Sequence, residues 1–162
     1  MYFKVLKSLC VFFSLIVSFV LFTNSSIAGN ITEERLINSE NEPGNWIHHH
    51  GNYEAHRFSG LTDINKDNVK DLKVAFTYAM GDIQGGGTAP IVFPFSGLEG
   101  TPIAEDGFLY ITTGWGTVTK LDVRGGKAIP LWKHNPEADK DYAPSVTCCG
   151  INNRGVALHG EK

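Results

Sequence analysis

The chain is expected to be all-β, of the sandwich, barrel or propeller kind. Two observations predict this. From Gly100 onward candidate strands recur about every 8–12 residues, and Asp-Gly or Gly-Gly pairs stand between them. Such pairs suit tight hairpins because those turns need positive φ at their central residues.

The elements follow in order. Met1 to Ala28 reads as an export signal. Lys4 and Lys7 make a basic start, Ser8 to Phe22 is a nearly unbroken apolar run, and Ser26-Ile27-Ala28 supplies small residues at the two positions a signal peptidase reads. The run is about 15 residues, short of the ~20 a membrane span requires, so the mature chain is expected to have no span. Cleavage after Ala28 would remove two lysines and one of the three cysteines, taking the net charge from −3 to about −5. A mildly acidic exported chain without a basic block argues against nucleic acid or anionic membrane as its main partner.

Gly29 to Asn45 is polar, acidic and without a clear period, and is expected to be an exposed leader. Asn30-Ile31-Thr32 fits a glycosylation sequon, a three-residue match that chance supplies often. Trp46 to Ser59 is dense in aromatics and histidines. In Leu61 to Leu72, Asn65 or Asp67 can cap a short helical turn, with Leu61, Ile64, Val69 and Leu72 sharing one buried side. Lys73 to Ala79 alternates like a strand, placing Val74, Phe76 and Tyr78 on one face. Gly81 to Gly97, with Gly85-Gly86-Gly87, is a Gly/Pro-rich loop. Strands are then expected at Gly100–Glu105, Phe108–Thr113, Thr117–Val123 and Ile129–His134. Asp106-Gly107, Gly114-Trp115-Gly116 and Arg124 to Lys127 turn between them.

The residues with chemical potential cluster late in the chain. Cys148 and Cys149, the two cysteines outside the signal, are adjacent, which excludes a disulfide-rich scaffold and a zinc site of CxxC spacing. Neighbouring Cα atoms lie about 3.8 Å apart across a trans peptide, whereas an ordinary disulfide spans roughly 4.4–6.8 Å. A bridge between them would close a strained eight-membered ring, more reducible than a structural disulfide. Two free thiols buried as small hydrophobes are the other reading, and an oxidising compartment favours the ring. Arg154 follows five residues later, a permanent cation whose planar fork grips carboxylates, although a solvated loop arginine is the plainer reading. Glu99 stands where loop meets strand; a surface carboxylate is its plainer reading. His48-His49-His50 and His56 invite a metal site, but three consecutive residues of an extended strand cannot converge on one ion. Gly126-Lys127 is no phosphate loop, since Leu121 and Ala128 stand where the motif needs Gly and Ser or Thr.

Together, CCGINNRG, EGTPIAEDGFLYIT, LDVRGGK with Trp132, and WIHHHGNYEAHRFSGLTDINKDNVKDL resemble the N-terminal quarter of the PQQ-dependent (quinoprotein) methanol/ethanol-type alcohol dehydrogenases. LDVRGGK is similar to that family's tryptophan-docking turn, with Gly125 in place of threonine and two extra residues before Trp132. The resemblance spans about Pro43 to Gly160. It implies an eight-bladed β-propeller. A four-stranded blade takes about 40–50 residues and a closed ring at least four blades, so residues 46–162 are expected to hold the first two to three blades of a truncated ring. The resemblance implies a cofactor, pyrroloquinoline quinone (PQQ), held with Ca²⁺ or a lanthanide ion. The implied reaction is periplasmic oxidation of a primary alcohol to the aldehyde, with electrons passed to a cytochrome c. It also allows a homo-oligomer.

By position, Cys148 and Cys149 would form a vicinal disulfide against one face of the quinone. Arg154 would bind a cofactor carboxylate, and Glu99 would contact the cofactor from the first blade. The resemblance places the metal ligands and the catalytic base beyond Lys162, so none is assigned here. The competing reading is a non-catalytic propeller scaffold of the outer-membrane assembly-factor type. CC-x4-RG weighs against it, because the resemblance gives that class no use for the motif.

Overall fold

The computed structural model describes residues 30–81, 96–146 and 151–160. The expected export signal, residues 82–95 of the Gly/Pro-rich loop and the Cys148-Cys149 pair lie outside the described residues. Six strands follow in order: β1 (Ser96–Thr101), β2 (Ile103–Glu105), β3 (Phe108–Thr112), β4 (Val118–Asp122), β5 (Ile129–His134) and β6 (Ile151–Gly155). Short helices α1 (Glu33–Ile37) and α2 (Ala143–Val146) flank them.

Strands β2 to β5 form an antiparallel meander in chain order, while β1 and β6 pair in parallel as a separate sheet. The single strand expected over Gly100–Glu105 is therefore split. Pro102 lacks the N–H a ladder needs, and the chain changes sheets there. Strands β3, β4 and β5 otherwise fall within a residue of expectation.

The tight turns form for the anticipated reason. Asp106 and Gly107 have φ of 49° and 81°, the double left-handed geometry of a type I′ hairpin. Glu105 consequently faces Phe108, and Ile103 faces Tyr110. At the next corner the Thr113 N–H donates to the Thr117 carbonyl at 3.0 Å and the Gly116 N–H to that of Thr113 at 3.0 Å. Between β4 and β5 the Asp122 carboxylate accepts from the Arg124 backbone N–H and from its Nε, both at 3.0 Å. The Arg124 guanidinium thereby holds the Asp122 carboxyl down at about 2.

One core cluster gathers Ile103, Phe108 and Tyr110 of the meander with Ile31, Ile47 and Leu158 from the flanking chain, and Leu36 and Val156 pack against it. Burial pushes the Tyr110 phenol up to about 12. Lys120, opposite Tyr110 on β4, lays its ammonium 4.3 Å from the Phe108 ring centroid. Strand β5 is exposed throughout, and Trp132 keeps 46 % of its surface open beside Tyr110, their ring centroids 6.3 Å apart.

Three further expectations change. In the segment 29–45, anticipated as an exposed leader, most described residues are exposed, but Ile31 and Arg35 anchor it on the meander. The Thr32 side chain caps α1, and Ile31 is 1 % exposed and exchanges two backbone hydrogen bonds with Gly160, at 2.9 and 2.8 Å. Arg35 then reaches from α1 to Glu105 on β2, Nη1 to Oε1 at 2.9 Å, while its Nε and Nη2 grip both Glu42 oxygens. The acidic composition that suggested solvation serves partly to hold this arginine.

The turn expected over 61–72 forms as a 3-10 segment, Val69–Asp71, with Asn68 at its N-cap. Asn65 instead closes an Asx turn onto the Asp67 N–H at 3.0 Å. Leu61, Ile64, Val69 and Leu72 are exposed, not buried. No strand forms over 73–79, and Val74 is 80 % exposed. Alternation supplies two faces, but a strand also requires a neighbouring edge to accept its hydrogen bonds, and the described residues offer none here.

Candidate functional site

Arg154 and Glu99 are 55 residues apart in sequence and adjacent in space, because β6 runs parallel to β1. The register pairs Ser96 with Ile151, Gly97 with Asn152 and Leu98 with Asn153, then shifts, so that Thr101 meets Gly155. Within the shift Glu99 and Gly100 together oppose Arg154, the two-against-one count of a β-bulge. A bulge re-aims a side chain, and here it turns Glu99 onto the guanidinium: Arg154 Nη1 lies 2.7 Å from Glu99 Oε2.

The local sequence of β6 explains its irregularity. Asn152 and Asn153 are poor strand formers, and their side chains bond to backbone instead. Asn152 Oδ1 accepts the Gly97 N–H at 3.0 Å, and Asn153 Oδ1 accepts the Gly155 N–H at 2.9 Å. Gly155 has φ of 131°, and a Cβ there would stand 2.9 Å from the Thr101 carbonyl oxygen. The glycine after the arginine is thus required by the closeness of β1. His49 closes the same end of the pair, its Nε2 3.4 Å from Thr101 Oγ1.

Both charged groups are open to solvent, with 77 % of the Arg154 side chain and 42 % of the Glu99 side chain exposed. An exposed pair contributes little to stability, roughly 0–1 kcal/mol. The arrangement is therefore better suited to binding than to holding the fold together: a guanidinium at a sheet edge can receive a planar carboxylate. Cys148 and Cys149 precede β6 closely in sequence and lie outside the described residues.

Two of the four sequence-nominated residues thus meet, and the structure adds His49, Asn152 and Asn153 around them. The two asparagines left a local signal, loop-forming residues standing just before an arginine. His49 stands out in the sequence only as part of the His48–His50 run, and nothing local points to its contact with Thr101, 52 residues away.

His56 sits in a different cluster with Glu40 and Glu54, one ligand-type atom from each lying within 4.8 Å of the others. Asn52 Oδ1 accepts the His56 N–H at 3.1 Å, so the Asn52 Nδ2 donor faces the ring, 3.0 Å from Nδ1. The ring proton then belongs on Nε2, 3.2 Å from Glu54 Oε2. Donors and acceptors are matched within the loop. Among the described residues no helix is long and apolar enough to cross a membrane.

Residues 46–162 match the family described as PQQ glucose/ethanol/alcohol dehydrogenase, β-propeller domain. Among curated relatives, quinohemoprotein alcohol dehydrogenase ADH-IIG of Pseudomonas putida is 35% identical over 134 residues, which is 83% of this chain and 17% of that protein. The 1-butanol dehydrogenase (cytochrome c) of Thauera butanivorans is 36% identical over 119 residues, 74% of this chain and 15% of that one. The solved structure of quinohemoprotein alcohol dehydrogenase ADHIIG from Pseudomonas putida HK5 superposes with a TM-score of 0.70 at 32% identity, covering 82% of this chain and 17% of its own. A europium-containing methanol dehydrogenase superposes at 0.62 with 28% identity, covering 78% and 20%. The chain spans about a sixth of the length of these curated relatives. With its four-stranded meander and the motif-bearing strand beside it, the chain belongs to the PQQ-dependent alcohol dehydrogenase β-propeller family.

Proposed function

We propose that this chain supplies the first blades of a periplasmic PQQ-dependent alcohol dehydrogenase, which oxidises a primary alcohol to the aldehyde and passes the electrons to a cytochrome c. The observation that carries the proposal is the β1–β6 register, which sets Glu99 and Arg154 2.7 Å apart at a solvent-open sheet edge. The donor set fits the cofactor's chemistry. A planar polycarboxylate needs a cation with a planar fork, and Arg154 offers one on a strand braced by Asn152, Asn153 and Gly155. It also needs a rigid apolar plate, the role assigned to a disulfide between Cys148 and Cys149.

Bound there, the quinone supplies a two-electron acceptor that no amino-acid side chain provides. This chain's own residues bind and orient: Arg154 neutralises a carboxylate, Glu99 fixes the guanidinium, and the bulge holds both in place. The names of the relatives favour an alcohol as substrate, and one of them names cytochrome c. The scaffold reading has no use for a carboxylate receptor at this position.

The test is PQQ binding to the full-length apo protein, followed by fluorescence titration. Arg154→Ala should weaken binding about 10–100-fold, the loss expected for one charge-assisted pair of ~1.5–3 kcal/mol. Arg154→Lys should recover only part of it, because an ammonium lacks the fork. Unchanged affinity in Arg154→Ala would remove the proposal's support.

A further inference from the structure

We infer that His50 and Arg57 make a proton-sensitive latch on the 50–57 loop: the loop is closed while the His50 imidazole is neutral, and a proton on its Nδ1 opens it. The latch lies outside the role proposed above and does not depend on it.

Two hydrogen bonds tie the ends of the loop together. The Arg57 backbone N–H donates to the His50 carbonyl at 2.9 Å, and the Arg57 Nε–H donates to His50 Nδ1 at 3.2 Å. A guanidinium has donors and no acceptor, so His50 Nδ1 must present its lone pair and the ring proton must sit on Nε2. Protonating the ring places a second N–H on Nδ1, facing the Arg57 Nε–H. The attraction then becomes a donor-to-donor contact between two cations.

The backbone favours release. Ala55 and Arg57 have φ of 58° and 54°, left-handed conformations that residues with a Cβ rarely adopt. Such residues persist only while their surroundings hold them there. The near end of the loop is fixed: a Cβ on Gly51 would stand 3.0 Å from the Trp46 ring, and the Gly51 carbonyl accepts from Ser39 Oγ at 2.8 Å. Residues 53–57 are exposed and bury little against the rest of the chain, which makes them the part that moves.

The titratable and charged groups around His50 act in one direction. Arg57 faces it across the latch, and His49 stands ring to ring with it, centroids 4.5 Å apart. His48 Nδ1 accepts the His50 backbone N–H at 3.3 Å and so also serves only while that atom is unprotonated. His56 is turned to Glu54 and Glu40 instead. Burial first, then the charges of Arg57, His49 and His48, hold the His50 imidazole below its ordinary 6.5. A base lowered on closure favours the closed loop above 6.5, and that contribution is lost as pH falls from 6.5 toward the lowered value. His49 also touches Thr101 Oγ1 at 3.4 Å, which sets the latch beside the end of the β1–β6 pair.

The experiment is amide hydrogen exchange of the peptide holding Arg57, in the full-length protein at pH 7.5 and 5.0, corrected for intrinsic exchange. In wild type the protection should fall about 5–10-fold at the lower pH. His50→Asn sets an amide oxygen near the Nδ1 position, where it accepts from Arg57 at either pH; most of the fall should vanish, with the loop closed throughout. Arg57→Met removes the donor, so the loop should be open already at pH 7.5 and change by less than about twofold on acidification. Wild-type protection that does not change with pH would overturn the latch. So would the full wild-type fall persisting in either variant.

Discussion

Arg35→Met is the perturbation that most directly tests how the N-terminal segment is attached. Glu105 is 1 % exposed in its side chain, and Arg35, 23 % exposed, reaches it at 2.9 Å. A methionine of similar length keeps the packing but leaves a buried carboxylate without its hydrogen-bonded cation, with only the Coulomb pull of Lys120 remaining. Breaking a buried pair this way costs roughly 3–5 kcal/mol, and the partial exposure of Arg35 puts the expected loss near the lower end, about 3 kcal/mol. The loss should appear as local opening of residues 30–45, because α1 and the Ile31–Gly160 bridge ride on the same contact. At 1.36 kcal/mol per factor of ten, amide hydrogen exchange of the 30–45 peptide in the full-length protein should speed up about 150-fold.

The pH dependence has a defined sign. Burial outweighs the pull of Arg35 and already holds the Glu105 carboxyl above its ordinary 4.5. An acid raised on folding stabilises the folded state at low pH and loses that contribution as pH climbs from the unfolded to the folded value. Without Arg35 the folded value rises further, so the variant's deficit is largest near neutrality and shrinks as acid neutralises Glu105. Adding Glu105→Gln to Arg35→Met should recover most of the loss at pH 7. Exchange within twofold of wild type in Arg35→Met would refute the reasoning, since apolar burial of Ile31 would then suffice.

Other substitutions probe the sheets and the motif. The Thr112 hydroxyl is buried without a hydrogen-bond partner among the described residues, so Thr112→Val should stabilise the full-length protein by about 1 kcal/mol in denaturant titration; a loss of that size would mean the hydroxyl is paired in solution. Gly107→Ala should cost about 1–2 kcal/mol, because φ of 81° is left-handed and a Cβ there meets the Arg124 side chain; an unchanged unfolding midpoint would contradict the type I′ assignment. Thiol titration of the exported, unreduced protein should find Cys148 and Cys149 unreactive until a reductant is added, and two reactive thiols at the outset would remove the disulfide.

Where short-range rules govern, the sequence was readable. Asp106-Gly107 declared its turn because few residue pairs tolerate two left-handed conformations in succession, and that turn then set the register from Glu105–Phe108 to Ile103–Tyr110. The turns at Gly114–Gly116 and Arg124–Lys127 were legible on the same grounds. Where the outcome depends on a distant partner, local pattern misled. Lys73 to Ala79 alternates correctly for a strand yet has no edge to join among the described residues, and Gly29 to Asn45 looked like a solvated leader because nothing in it announced that Ile31 would pair with Gly160 and Arg35 with Glu105.

The candidate site divides along the same line. Glu99 and Arg154 could be nominated by residue chemistry and motif, since a loop-edge carboxylate and a guanidinium in CC-x4-RG carry their character wherever they stand. Their meeting at 2.7 Å, the Thr101–His49 contact and the buried Arg35–Glu105 pair came only from the folded arrangement. Backbone preference acts over a handful of neighbouring residues, whereas the parallel alignment of β1 with β6 is set by hydrogen bonds and burial between segments some 55 positions apart, which no local pattern encodes.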